Sequence, residues 1–203
     1  VREKLIASAL ALMDEGGLDA VKARSVAQAV GVSVGTVYNL FGSVDGLLLA
    51  ANLTILEALN ALGRERAGAQ RGGEQVGASG RVLTLGRLLG LSAAYIDFVA
   101  ANANRWAALL AFNRSRKLAE TDRTYVARQD ALIDIVGEVL RTTPLGDNGP
   151  RRRVAARALW SSVHGIVTMN YFGADEAGAR QRTWAQIEWL VTAAVDGLYA
   201  AKA

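Results

Sequence analysis

Ala27-Gln28-Ala29-Val30-Gly31-Val32-Ser33-Val34-Gly35-Thr36-Val37-Tyr38-Asn39-Leu40-Phe41 is the stretch that decides how this chain folds. Two short helical patterns meet in it at Gly31-Val32-Ser33. Glycine suits the left-handed end of a helix, and serine suits the cap of the next one. The first helix is expected over about residues 23–30, with Val26, Ala27 and Val30 facing inward. The second is expected over residues 34–40, with Val32, Val37 and Phe41 turned in. Ser33, Val34, Gly35, Thr36, Tyr38 and Asn39 are left on its outer face. Small and polar side chains on one face of a short helix, over a packed underside, are what insertion into a major groove requires.

Upstream, residues 2–15 place Leu5, Ile6, Ala9, Leu12 and Met13 on one stripe, and Gly16-Gly17 stops that helix. Downstream, Gly42-Ser43 breaks the chain before a long helix over about residues 44–66, with Ser43 as its cap. The reading is therefore an all-α chain. A three-helix, helix-turn-helix DNA-binding domain is expected over residues 1–48, followed by a larger helical domain over residues 49–203.

The rest of the chain agrees with an all-helical fold. β-Branched alternation is rare, Ala and Leu recur at spacings of three and four, and the two prolines, Pro144 and Pro150, sit close together. A glycine-rich stretch over residues 67–80 predicts a flexible loop. Helices are expected over residues 82–101, 105–112, 122–141, 151–172 and 179–200, with a joint at Asn102 and Asn104 and a second loop over residues 142–150.

Composition excludes much. The 203 residues are 51% hydrophobic, enough for a core without staples. Cysteine is absent, so there is no disulfide framework and no thiolate chemistry. His164 is the single histidine, which leaves little for a zinc site or a Ser-His-Asp relay, and no cofactor is expected. No unbroken apolar run approaches the roughly 18 residues of a membrane span, and no signal peptide is visible. A cytoplasmic protein without a membrane partner is the expectation. The net charge of +4 permits nucleic-acid binding without demanding it.

The quoted string resembles the TetR family of bacterial regulators, and the resemblance runs from about Leu5 to Leu48. The shared pattern is an amphipathic helix, a glycine stop, a helix, a Gly-Val-Ser turn, and a helix carrying Thr36, Tyr38 and Phe41. The resemblance implies that residues 49–203 form the ligand-binding and dimerisation domain of a ligand-responsive transcription regulator, most simply a repressor. It would bind a near-palindromic operator in double-stranded DNA as a homodimer and be released by a small hydrophobic effector. An activator of the same fold, or a helical enzyme or carrier with a degenerate head, are the alternatives. By position, Arg24 would reach a base edge or a phosphate, and Thr36 and Tyr38 would contact phosphates. Val34 and Gly35 would meet a thymine methyl, Asn39 a base or the backbone, and Lys22 and Ser43 phosphates. One departure is Val44, where the family usually has lysine. Residues 1–50 carry four positive and five negative side chains, so the head is not a basic patch and a modest salt slope is expected.

In the second part, Trp160-Ser161-Ser162-Val163-His164-Gly165 resembles the Trp-x-x-x-His-Gly pattern of one TetR C-terminal subgroup. Trp160 and His164 share a helix face, as an aromatic wall and a polar anchor would. Tyr95, Phe98, Trp106, Leu109, Leu110, Phe112, Tyr125, Met169 and Tyr171 are the other candidate wall residues, although aromatics at helical spacing equally serve as core. None is charged, which predicts a neutral or weakly polar ligand. Leu159, Val163, Ile166 and Val167, with Ile187, Leu190, Val191, Ala194 and Leu198, form stripes on the last two helices, expected to pair between subunits as a four-helix interface.

Overall fold

The computed structural model describes residues 1–69, 80–115, 122–146, 148–171 and 178–200. Among them are nine α-helices and no strand. They are α1 (Arg2–Gly16), α2 (Ala23–Val30), α3 (Val34–Phe41), α4 (Val44–Ala69), α5 (Gly80–Ala101), α6 (Ala103–Ser115), α7 (Arg123–Leu140), α8 (Gly149–Tyr171) and α9 (Ala179–Ala200). A 3₁₀ turn, Leu18–Ala20, lies between α1 and α2. Helix α4 runs three residues past its expected end. Most of the loop expected over residues 67–80 lies outside the described residues.

The chain forms two compact units that interleave along the sequence. The first holds Val1–Ala58 and Ala101–Gln129, and the second holds Leu59–Ala100 and Asp130–Ala203. The first unit thus contains more than the head read from the sequence. Its extra segment is held by polar contacts: the Asn104 side-chain amide donates to the Asp14 carbonyl at 2.6 Å, and the Arg105 guanidinium pairs with the Asp14 carboxylate at 2.5 Å. Leu5, Ala9 and Met13 are buried at the stripe expected of α1. Trp106, Leu109, Phe112 and Tyr125 are buried with them in this unit's core. Phe112 and Tyr125 meet edge to face at 6.4 Å, and Tyr125 donates its hydroxyl to Asn113 Oδ1 at 2.8 Å. Burial pushes the Tyr125 phenol well above its ordinary range, and the bond to Asn113 offsets part of that.

In the second unit, α5 and α9 are tied by Arg81–Asp196 and Arg180–Asp97 pairs, and α7 and α8 by Arg157–Asp130 and Arg153–Asp134. All four are exposed pairs of small energetic weight. Stability rests instead on buried aliphatics such as Val99, Val139, Leu140, Val167, Ile187 and Val195. Asn148 caps α8, its side chain accepting from Arg151 N at 3.1 Å, and Pro150 sits in the first turn, where no N–H is needed.

Two helices bear on the membrane expectation. The residues Val44–Gly68 within α4, and α5, are each long and apolar enough to cross a membrane by length and composition, with a mean hydropathy of 1.5. Scattered polar residues break every run, but the average over a helix stays high. A helix that builds a protein core has the same composition, and α4 buries Leu47, Ala51, Ile55, Leu56 and Leu59.

Candidate nucleic-acid interface and ligand cavity

The turn before α3 is built from backbone chemistry that the sequence announces. Gly31 is left-handed, at φ 74° and ψ 34°. Its N–H reaches the Gln28 carbonyl at 3.2 Å, and the Val32 N–H reaches the Ala27 carbonyl at 3.0 Å. This is the paired closure of a Schellman motif, and it satisfies two carbonyls at the end of α2. Ser33 then caps α3: its Oγ accepts from Thr36 N at 3.2 Å and lies 3.0 Å from Thr36 Oγ1.

Helix α3 divides as its sequence demands. Val37 is fully buried, and Val32 and Phe41 are half-buried beneath. Ser33, Val34, Gly35, Tyr38 and Asn39 are exposed, and Thr36 is half-exposed. Tyr38 at 47% and Val34 at 37% are large apolar surfaces held out in solvent. Lys22 and Arg24 are exposed at the start of α2, and Arg24 has no ion-pair partner among the described residues. The Arg2 guanidinium lies 5.2 Å over the Phe41 ring and ties α1 to the end of α3.

Ser43 is placed as expected at the start of α4, where its Oγ accepts from Gly46 N at 3.0 Å. Sequence reasoning missed Gly46. A Cβ at this position would run into the Phe41 carbonyl, so glycine alone lets α4 pass this close behind α3. The signal was a glycine in the first turn of a long helix, where propensity disfavours it.

The second unit holds a small, partly open cavity of about 60 Å³. Leu59, Leu62 and Gly63 of α4 line it, with Leu88, Leu91, Ser92, Ala94 and Tyr95 of α5. Leu132, Ile135 and Val136 of α7, Leu159, Trp160 and Val163 of α8, and Val191 of α9 complete the wall. The lining is almost wholly aliphatic. The Ser92 hydroxyl is turned back to the Leu88 carbonyl at 2.9 Å. At one side, Tyr95 Oη and His164 Nδ1 are 2.7 Å apart, Trp160 stacks on His164 at 5.9 Å, and the Tyr95 and Trp160 rings lie 5.1 Å apart. Burial pushes the His164 pKa below its ordinary 6.5. The neutral ring can accept at Nδ1 from the Tyr95 hydroxyl.

Of the aromatic and aliphatic wall residues read from the sequence, the structure puts only Tyr95 and Trp160 on this cavity, with His164 bonded to Tyr95. Phe98 is half-buried on α5 and away from the lining. Trp106, Leu109, Phe112 and Tyr125 fill the core of the first unit, where half-buried Leu110 also belongs. Their helical spacing suited a core as well as a pocket, and packing decided. Met169 is 82% exposed and cannot wall an enclosed space. The Tyr171 side chain lies outside the described residues. The dimer stripes also need correction: Leu159, Val163, Val167, Ile187 and Val191 are buried within one subunit. Left outward on α8 and α9 are Val154, Met169 and Trp189, the last at 74% exposure, with Ile166, Leu190, Ala194 and Leu198 half-exposed. Ile166, Trp189 and Leu190 line a shallow surface groove there. Among the described residues no group of three or more His, Asp or Glu side chains could hold a metal ion.

A capped, outward-facing helix on a three-helix support, carried by an otherwise all-helical chain, defines a helix-turn-helix transcription regulator. The sequence profile for bacterial regulatory proteins of the tetR family matches residues 5–51, and that for the tetracyclin repressor-like C-terminal domain matches residues 88–194. The chain belongs to the TetR family of transcriptional regulators.

Solved structures share the fold. The regulator PfmR from Thermus thermophilus is 21% identical, covers 94% of this chain and 97% of its own, and gives a TM-score of 0.61. A tetR-family regulator from Streptomyces coelicolor is 23% identical, with 100% and 82% coverage and a TM-score of 0.67. FadR from Bacillus subtilis, solved in complex with stearoyl-CoA, is 14% identical, with 95% and 98% coverage and a TM-score of 0.64. No curated protein sequence matches the chain.

Proposed function

We propose that this regulator is a repressor that binds a near-palindromic operator as a homodimer and is released when a small hydrophobic molecule occupies the cavity of its second unit. The observation that carries the reading is α3, whose underside is sealed by Val37 while Tyr38 and Val34 stand in solvent. In this reading Thr36, Tyr38, Lys22 and Ser43 contact phosphates and fix register, and Arg24 and Asn39 reach base edges. Val34 and Gly35 meet a thymine methyl. One short helix reads too few bases to be selective, whereas two heads reach half-sites about 34–36 Å apart. The groove on α8 and α9 around Trp189 supplies an apolar, aromatic surface of the kind that anchors subunit interfaces.

Effector binding is supported by the aliphatic cavity and by the fold shared with FadR, whose complex holds stearoyl-CoA. A cavity of about 60 Å³ is far below the roughly 300–1,000 Å³ of an occupied ligand pocket. Entry of an effector must therefore move the wall helices. The operator is released to the extent that the effector prefers the moved state.

The test is fluorescence anisotropy of the purified full chain with duplex DNA from its own promoter region at low salt. Cooperative, saturable binding is expected, and absence of binding sinks the proposal. Arg24→Ala should weaken operator binding by about 2 kcal/mol and flatten the preference at one base pair. Tyr38→Ala should weaken binding to all sequences alike. Trp189→Asp should yield monomers in sedimentation, with self-association falling about 100-fold or more. In cells, deleting the gene should raise a promoter reporter; a fall would make the protein an activator.

A further inference from the structure

Resting on the effector-binding reading above, we infer that the effector is a compact, uncharged molecule with an apolar body and one hydrogen-bonding group, and that it binds by exchanging that group into the Tyr95–His164 hydrogen bond. The wall sets the first half of this. No charged side chain is among the described residues lining the cavity, and its polar side chains are Ser92, Tyr95 and Trp160. The Ser92 hydroxyl is already committed to its own helix through the Leu88 carbonyl. A carboxylate, phosphate or ammonium placed there would lose its water and gain no countercharge, which is prohibitive in an apolar site. Burial keeps the His164 ring neutral, so it offers no standing charge either.

The second half follows from a polar feature at the cavity wall that a ligand could address. Tyr95 lines the cavity, and its hydroxyl is held 2.7 Å from His164 Nδ1. Trp160, stacked on His164 with an interplanar angle of 12°, fixes the ring's tilt. A ligand hydroxyl arriving beside Tyr95 can donate to Nδ1 while accepting the proton that Tyr95 gives up. That exchange keeps both members of the pair bonded, whereas a wholly apolar ligand leaves the pair untouched. The pair therefore reads whether the incoming molecule carries a hydrogen-bonding group. Size is limited as well. The cavity of about 60 Å³ is small, so a single small ring fits after modest wall movement.

Four probes of nearly the same shape test this on the full chain by calorimetry and thermal shift: benzyl alcohol, ethylbenzene, benzylammonium as the cation and benzoate as the anion. Both neutral probes should bind and the ions should not. His164→Phe should weaken benzyl alcohol about tenfold and leave ethylbenzene within about threefold. Tyr95→Phe keeps the ring and removes the hydroxyl that competes for Nδ1, so it should strengthen benzyl alcohol several-fold with ethylbenzene unchanged. A merely structural role would move both probes in the same direction in both variants, and that result overturns the exchange. Binding of benzoate or benzylammonium as tight as benzyl alcohol overturns the exclusion of charge. Gly63→Leu, which grows a side chain toward Ile135 and into the cavity, separates this inference from the reading beneath it. If neutral probes do not bind the wild type, or bind Gly63→Leu equally well, the cavity is not the effector site and both readings fall.

Discussion

The reading head and the cavity unit use similar residues to opposite ends. In the head, Val26, Ala27 and Val37 close a tight core so that the far side of α3 can be held rigidly in solvent. In the second unit, Leu88, Leu159, Val163 and Val191 face a space they do not fill. The head's working surface is polar and outward, and precision there comes from caps and turns whose chemistry is local. The cavity's working surface is apolar and inward, and its shape comes from five helices brought together from distant parts of the chain. Rigidity serves recognition of a duplex of fixed geometry. An underfilled core serves a switch, because a void weakens the packing that opposes rearrangement.

That contrast can be broken most sharply at Gly46. Gly46→Ala sets a Cβ against the Phe41 carbonyl, and α4 cannot yield without moving α3. The expected loss is about 3 kcal/mol in chemical denaturation, accompanied by loss of operator binding. An unchanged midpoint would mean that the head is looser than its packing suggests.

A smaller effect is expected at the cap. Ser33→Ala removes the acceptor of the Thr36 N–H and should cost about 1 kcal/mol, while Ser33→Asp should retain most of it. If both variants bind the operator as the wild type does, pre-organisation of α3 is not what recognition requires.

The smallest effect concerns His164 and sharpens the other side of the comparison. Burial lowers its pKa in the folded chain, so the unfolded chain binds more protons once the pH falls below the ordinary 6.5. Its contribution to stability is complete above that pH and is lost as the pH drops further. His164→Gln should flatten this acid slope in thermal melts from pH 7 to 5, leaving the carboxylate contributions at lower pH. A variant with the full wild-type slope would place the titration elsewhere.

The two sites were legible to very different degrees. The helix-turn-helix could be read almost to the residue, since Gly31, Ser33, Val37 and Tyr38 each declare their role through a backbone angle, a cap or a period of the helix. Gly46 escaped because the clash it avoids is with a carbonyl five residues earlier, across a break between helices. The cavity was barely legible. Tyr95, Trp160 and His164 stood out by type, but Leu59, Leu62, Leu132, Ile135 and Val191 look like any core residue, and Gly63 like any helical glycine. Trp106, Phe112 and Tyr125 were equally conspicuous and belong to the other unit, drawn there with the segment that Asp14 fixes through Asn104 and Arg105.

By itself, then, the sequence settled the all-helical class, the position of the capped recognition helix and which of its faces is outward, because helix periods, caps and glycine turns act over fewer than about ten residues. Only the tertiary structure decided which aromatics are core, which aliphatics border a void, and that Met169 and Trp189 are left on the surface. Those outcomes depend on which helices meet. Hydrophobic burial has no direction of its own and is satisfied by any well-packed neighbour.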